Sequence, residues 1–105
     1  MPINIFGWSD RELRRYIEIN LIAFFAEEFR KAITSFSEDT NIPGRFHLNM
    51  PGWVWYAGPL SNTQWMRDLG VQVTEADLAV SATICQLREL IFHKLRPHAQ
   101  LLPCA

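Results

Sequence analysis

The chain has 105 residues, 49% of them apolar and 20% charged, with a formal charge of −1. That length supports one hydrophobic core, because two would each be too small to hold without staples. The ten basic residues are scattered, not drawn into the stripe that a nucleic-acid backbone requires, and the longest apolar run, Leu21 to Ala26, is far short of the roughly 20 residues that cross a bilayer.

The first ten residues, MPINIFGWSD, lack a basic segment followed by an apolar one and a cleavage site. The two cysteines, Cys85 and Cys104, suggest no disulfide framework. Cytoplasmic residence is the default expectation. Ser9 and Glu12 have the spacing of a capping box, and no Pro or Gly follows until Pro43, so a helix is expected over 10–36. Its apolar residues change face. Leu13, Tyr16, Ile17, Asn20 and Phe24 share one side, whereas Ile22, Phe25, Phe29, Ala32, Ile33 and Phe36 gather about 160° away. The change implies a kink near 18–22 or a second surface that buries the other side. On the second reading Leu13, Ile17 and Phe24 form a self-association face, giving a homodimer.

Residues 37–44 are turn-rich and end the helix. Phe46, Leu48 and Met50 then alternate with Arg45, His47 and Asn49 at the period of a half-buried strand. A short β-hairpin about Pro51-Gly52 is expected, with an ordered aromatic loop as the alternative. Strand alternation would put Trp53 and Trp55 on one face and Val54 and Tyr56 on the other. Ser61 or Asn62 caps a short helix that ends at Leu69, where Gly70 supplies the left-handed residue. Thr74 opens a last helix that runs to Arg96 ahead of Pro97, with Glu75 and Asp77 at its start and His93 and Lys94 at its end, matching both poles of the dipole. Val80, Ile84, Leu87, Ile91 and Leu95 form its main stripe, and Leu78, Cys85 and Phe92 a second seam. The tail, 97–105, is expected to be flexible unless Leu101 and Leu102 dock. No internal repeat and no linker is visible, and 1–105 reads as a single domain. The fold class is mainly α, two long helices with a short helix and the hairpin or loop, with α+β as the alternative.

Chemistry is sparse. His47, Cys85, His93, His98 and Cys104 are residue types that bind zinc, but their spacing matches no compact ligand motif, so no metal is expected. No nucleophile signature, phosphate loop or dinucleotide fingerprint occurs, and adjacent Glu27 and Glu28 point about 100° apart on a helix, as solvated residues do. The expectation is therefore no catalysis and no cofactor. A helix-turn-helix at 62–85 would serve a small DNA-binding regulator, with Arg11, Arg14, Arg15, Arg67, Arg88 and Arg96 as phosphate contacts. Its second helix, however, opens on Glu75 and Asp77, which repel phosphates. The favoured reading is a non-catalytic protein-binding module whose partner meets Trp53, Trp55, Tyr56 and Trp65, since large rigid rings dominate interface energetics. A stand-alone inhibitor or adaptor, for example a phage-type protein that blocks a host or bacterial defence complex, suits the size.

Overall fold

The structure is a computed structural model that describes residues 2–105, and all regular structure among them is helical. Helix α1 spans Asp10–Phe29. The Ser9 hydroxyl accepts the Glu12 N–H at 3.0 Å and the Glu12 carboxylate accepts the Ser9 N–H at 3.0 Å, satisfying two of the amides that a helix start leaves free. Its buried residues Leu13, Ile17, Leu21 and Phe25 recur at every fourth position. Each such step turns the line by about 40°, so three steps carry it most of the way to the second face expected from the sequence. The change of face is the drift of one buried line.

The helix stops seven residues early. Arg30 adopts φ 53° and ψ 51°, and the N–H groups of Arg30 and Lys31 turn back to the Ala26 and Glu27 carbonyls. Phe46 supplies the reason. Phe29 stacks on it with ring centroids 4.0 Å apart, and Phe36 lies 6.0 Å from the same ring. A helix continued to Phe36 would carry that ring about 10 Å further along the axis, whereas the turn at Arg30 lets both meet Phe46.

The expected hairpin is replaced by short helices, α2 (Ile42–Arg45), α3 (Met50–Val54) and α4 (Ala57–Ser61). Asn-Ile-Pro-Gly at 41–44 and Asn-Met-Pro-Gly at 49–52 start the first two in the same way, a short repeat where none was expected. Asn41 Oδ1 accepts the Gly44 N–H at 2.8 Å and Asn49 Oδ1 accepts the Gly52 N–H at 2.9 Å. Proline sits in the first turn, where its missing N–H leaves no bond unmade. A Cβ on either glycine would stand 3.0 Å from that Oδ1. Asn-X-Pro-Gly is thus a helix start, and the Pro-Gly pairs do not build turns between strands.

Helix α5 (Gln64–Leu69) ends as expected on Gly70, at φ 73°. The expected last helix is two. Thr74 and Asp77 form a capping box for α6 (Glu75–Ala79), and Thr83 and Gln86 form a second one for α7 (Ile84–Leu95). Val80, read as core, is exposed in the break between them. The break lets 83–85 meet the chain before α2: Ile84 N–H bonds the Thr40 carbonyl at 3.2 Å, Cys85 N–H bonds that of Glu38 at 2.8 Å, and Ile42 N–H returns a bond to Ala82 at 3.0 Å. These contacts satisfy the first amides of α7, which a continuous helix would have spent internally.

Helix α7 packs antiparallel along α1, shown by Arg96 on Asp10 at one end and Arg88 on Glu18 at the other. Helix α3 packs on α6, where Trp53 Nε1 donates to the Leu78 carbonyl at 2.7 Å. The tail runs back beside α7. Cys104 is joined to Cys85 by a disulfide, Leu102 N–H bonds Glu89 at 2.8 Å and the Gln100 carbonyl accepts Arg14 at 2.8 Å. Leu101 and Leu102 stay exposed, so the tail, expected to be flexible unless those leucines docked, is tied down by backbone and sulfur instead. Two cysteines in 105 residues gave no framework to read, since it is the reversal after α7 that brings their sulfurs together. Lasting disulfides belong to oxidising compartments, and the cytoplasmic expectation loses the support it drew from the cysteines. No helix among the described residues is long and apolar enough to cross a membrane.

Candidate functional site

A ladder of rings crosses from the core to the surface. Phe25 lies 5.7 Å from Trp53 and 6.3 Å from Tyr56, Tyr56 lies 5.6 Å from Phe29, and Phe29 stacks on Phe46. Trp55 meets the edge of Tyr56 at 5.1 Å with the rings nearly perpendicular. At the far end Arg45 lies over Phe36 and Phe46, 5.3 and 5.5 Å from their centroids, and its guanidinium donates to the Ser35 carbonyl. Burial raises the Tyr56 phenol above its ordinary pKa, and the charge of Glu28 adds to the effect. The phenol therefore stays protonated at neutral pH, presenting a donor beside Trp55.

The four residues expected at a partner surface separate. Helical period replaces strand alternation over 53–60, so Trp53, Ala57 and Leu60 turn inward while Trp55 turns out. Trp53 is 1% exposed and Trp55 is 61% exposed; Trp53 is core and has no surface to offer a partner. Tyr56 is half-buried between them, and Trp65, on α5, is half-buried against the core outside the ladder. The proposed self-association face is also divided. Leu13 and Ile17 are fully buried in the core that α1 shares with α7, and Phe24 is half-buried with its ring 5.0 Å from that of Phe25. Half-buried Tyr16, packed on Trp8, and exposed Ile19 line a shallow groove on the outer side of α1.

A second cluster, unread in the sequence, joins α1, α7 and the tail. Glu89 is 4% exposed, yet it accepts from Arg14 Nε at 3.1 Å, from Arg88 Nε at 2.8 Å and from the Leu102 N–H. Burial pushes its carboxyl pKa up, but these donors outweigh it and hold the group below the usual carboxylate value. Burial likewise works against the Arg88 charge, and Glu89 and Glu18 more than restore it; Arg88 Nη1 reaches Glu18 at 2.6 Å. Arg14 also lies over the Phe92 ring, 4.0 Å from its centroid. Among the described residues no buried side-chain polar atom lacks a partner. The available signal was position, since Arg88 stands four residues after Ile84 and four before Phe92, on the buried side of α7.

Arg11, Arg14, Arg15 and Arg88 line one cleft of about 440 Å³ together with Glu18 and Glu38. Four of the six arginines considered for DNA binding are thus gathered, and two of them are tied into ion pairs, Arg14 with Glu89 and Arg88 with Glu18, Glu38 and Glu89. The second helix of the candidate helix-turn-helix, α6, has five residues and opens on Glu75 and Asp77. His47 is exposed at φ 55°, Cys85 and Cys104 are bonded to each other, and of the histidines considered with them His93 shares the lining of one cleft with Cys104. No group of three or more His, Cys, Asp or Glu side chains among the described residues is placed to hold a metal ion. Comparison with family models, curated proteins and solved structures found no match.

Proposed function

We propose that the protein is a non-catalytic module that binds a protein partner through Trp55 and the Tyr56 end of the ring ladder, in the role of a small inhibitor or adaptor. The observation that carries this reading is a large ring left 61% exposed on a fixed support. Its neighbours in the chain are Val54 and Tyr56, packed against the core, and Trp53 two residues before it is pinned to α6. A ring held in this way loses little freedom on docking, which is the property that makes tryptophan effective at interface centres. The partner surface that fits is an apolar pocket able to take an indole, with an acceptor for the Tyr56 hydroxyl at its rim.

Capture from the native cell with mass spectrometry names the partner, and two variants test the mode. Trp55→Ala is expected to unfold at the wild-type temperature and to lose about 2 kcal/mol or more of binding. Trp53→Ala is expected to lose roughly 3 to 5 kcal/mol of folding stability. Normal binding by Trp55→Ala removes the reading.

A further inference from the structure

The two sulfurs of the disulfide have different surroundings. Cys85 is buried as the second residue of α7, where a helix start favours negative charge, and Arg88 Nη2 donates to its Sγ at 3.3 Å. The charged groups near Cys85 come from three elements. Helix α7 supplies Arg88 and Glu89, α1 supplies Glu18 on the Arg88 guanidinium, and the segment before α2 supplies Glu38, whose carboxylate lies 3.6 Å from Arg88 Nη1. The carboxylates hold the cation, and the cation faces the sulfur. Cys104 lies on the tail and is partly exposed, so an incoming thiol meets it first.

We propose that Cys85–Cys104 is an exchange-active disulfide whose substrate class is a dithiol, with Cys104 the sulfur attacked and Cys85 the thiolate that leaves. One thiolate of the dithiol forms a bond to Cys104 Sγ, and the electron pair of the Cys85–Cys104 bond departs on Cys85, where Arg88 and the start of α7 receive the charge. The second thiol of the dithiol loses its proton and attacks its own partner sulfur, closing a disulfide and releasing Cys104, which takes up a proton. Two electrons pass to the cysteine pair. Two protons leave the dithiol, one to Cys104 and one to solvent. Release of Cys104 leaves the tail held by its Leu102 and Gln100 contacts.

The test uses the full chain in native buffer. Dithiothreitol is expected to reduce the bond without denaturant, and glutathione, a monothiol, is expected to leave its adduct on Cys104 when the products are trapped by alkylation and mapped by mass. In Cys104→Ser, the pH profile of Cys85 alkylation by iodoacetamide should have its midpoint at least about one unit below the roughly 8.5 of a free cysteine. Adding Arg88→Gln should raise that midpoint by about one unit, an approximately tenfold loss of thiolate at neutral pH. Should Arg88→Gln not fold, as circular dichroism will show, the Cys104→Ser midpoint decides alone. An adduct on Cys85, a midpoint at or above the free value, or reduction confined to denaturant overturns the proposal.

Discussion

Gly44 and Gly52 are needed for what they lack. Each N–H reaches back to an asparagine Oδ1 that a Cβ would approach to 3.0 Å, so the side chain of an alanine competes with the cap. Gly52→Ala therefore sets helix propensity, which favours alanine by up to about 1 kcal/mol, against a cap of about the same size. The expected outcome is coupling. In urea titrations Gly52→Ala should be more favourable by about 1 kcal/mol in an Asn49→Ala background than in wild type. The same stretch shows why the rings were misassigned from sequence. Alternation pairs Trp53 with Trp55, whereas a helical backbone separates them by about 200°, and the asparagine caps select the helix.

Helix α7 illustrates how an element is set by its neighbours. Its inward face carries Arg88 and Glu89 among Ile84, Leu87, Ile91 and Phe92, a placement tolerable only because α1 brings Arg14 and Glu18 opposite. The depressed pKa of Glu89 makes stability pH-dependent with a definite sign. Its contribution is complete above the unfolded value of about 4.3 and is lost as pH falls through the lower folded value. Glu89→Gln is expected to cost roughly 3 kcal/mol at neutral pH, and the gap to wild type should narrow in chemical denaturation series carried below about pH 4. A gap that stays constant to pH 2 would show that the carboxylate is not the titrating group. The boundaries of α7 followed the same logic. Its basic end at His93 and Lys94 was legible, but its start was masked by Thr74, an equally good cap nine residues earlier.

Closure of the molecule rests on contacts between the two ends of the chain and on a crosslink within its C-terminal part. Arg96 bonds Asp10 and the carbonyls of Ile5 and Trp8, and the disulfide fastens 104 to 85 across a separation of 19 residues. A loop of that size restricts the unfolded chain by about 3 kcal/mol in the entropic account. Cys104→Ser is thus expected to retain its helical circular dichroism, because the α1–α7 core is untouched, and to unfold at lower temperature in calorimetry by an amount equal to that of the reduced wild type. Loss of helicity at room temperature would mean that the tail is a structural member of the core.

Features that depend on a few adjacent residues could be read along the chain: the Ser9–Glu12 start of α1, the Gly70 stop of α5, the Thr74 cap, and the mainly helical class itself. Their hydrogen bonds close within four residues, so the amino-acid order contains both partners. The stop at Arg30, the inward turn of Trp53, the burial of Glu89 and the pairing of Cys85 with Cys104 have partners on other elements. Phe46 lies 17 residues beyond Phe29, Leu78 lies 25 beyond Trp53, and Glu89 lies 75 beyond Arg14. Competing local choices at these positions differ by about a kilocalorie per mole, and burying one ring or satisfying one buried charge outweighs that difference. The long-range contact, absent from any local pattern, therefore set the outcome.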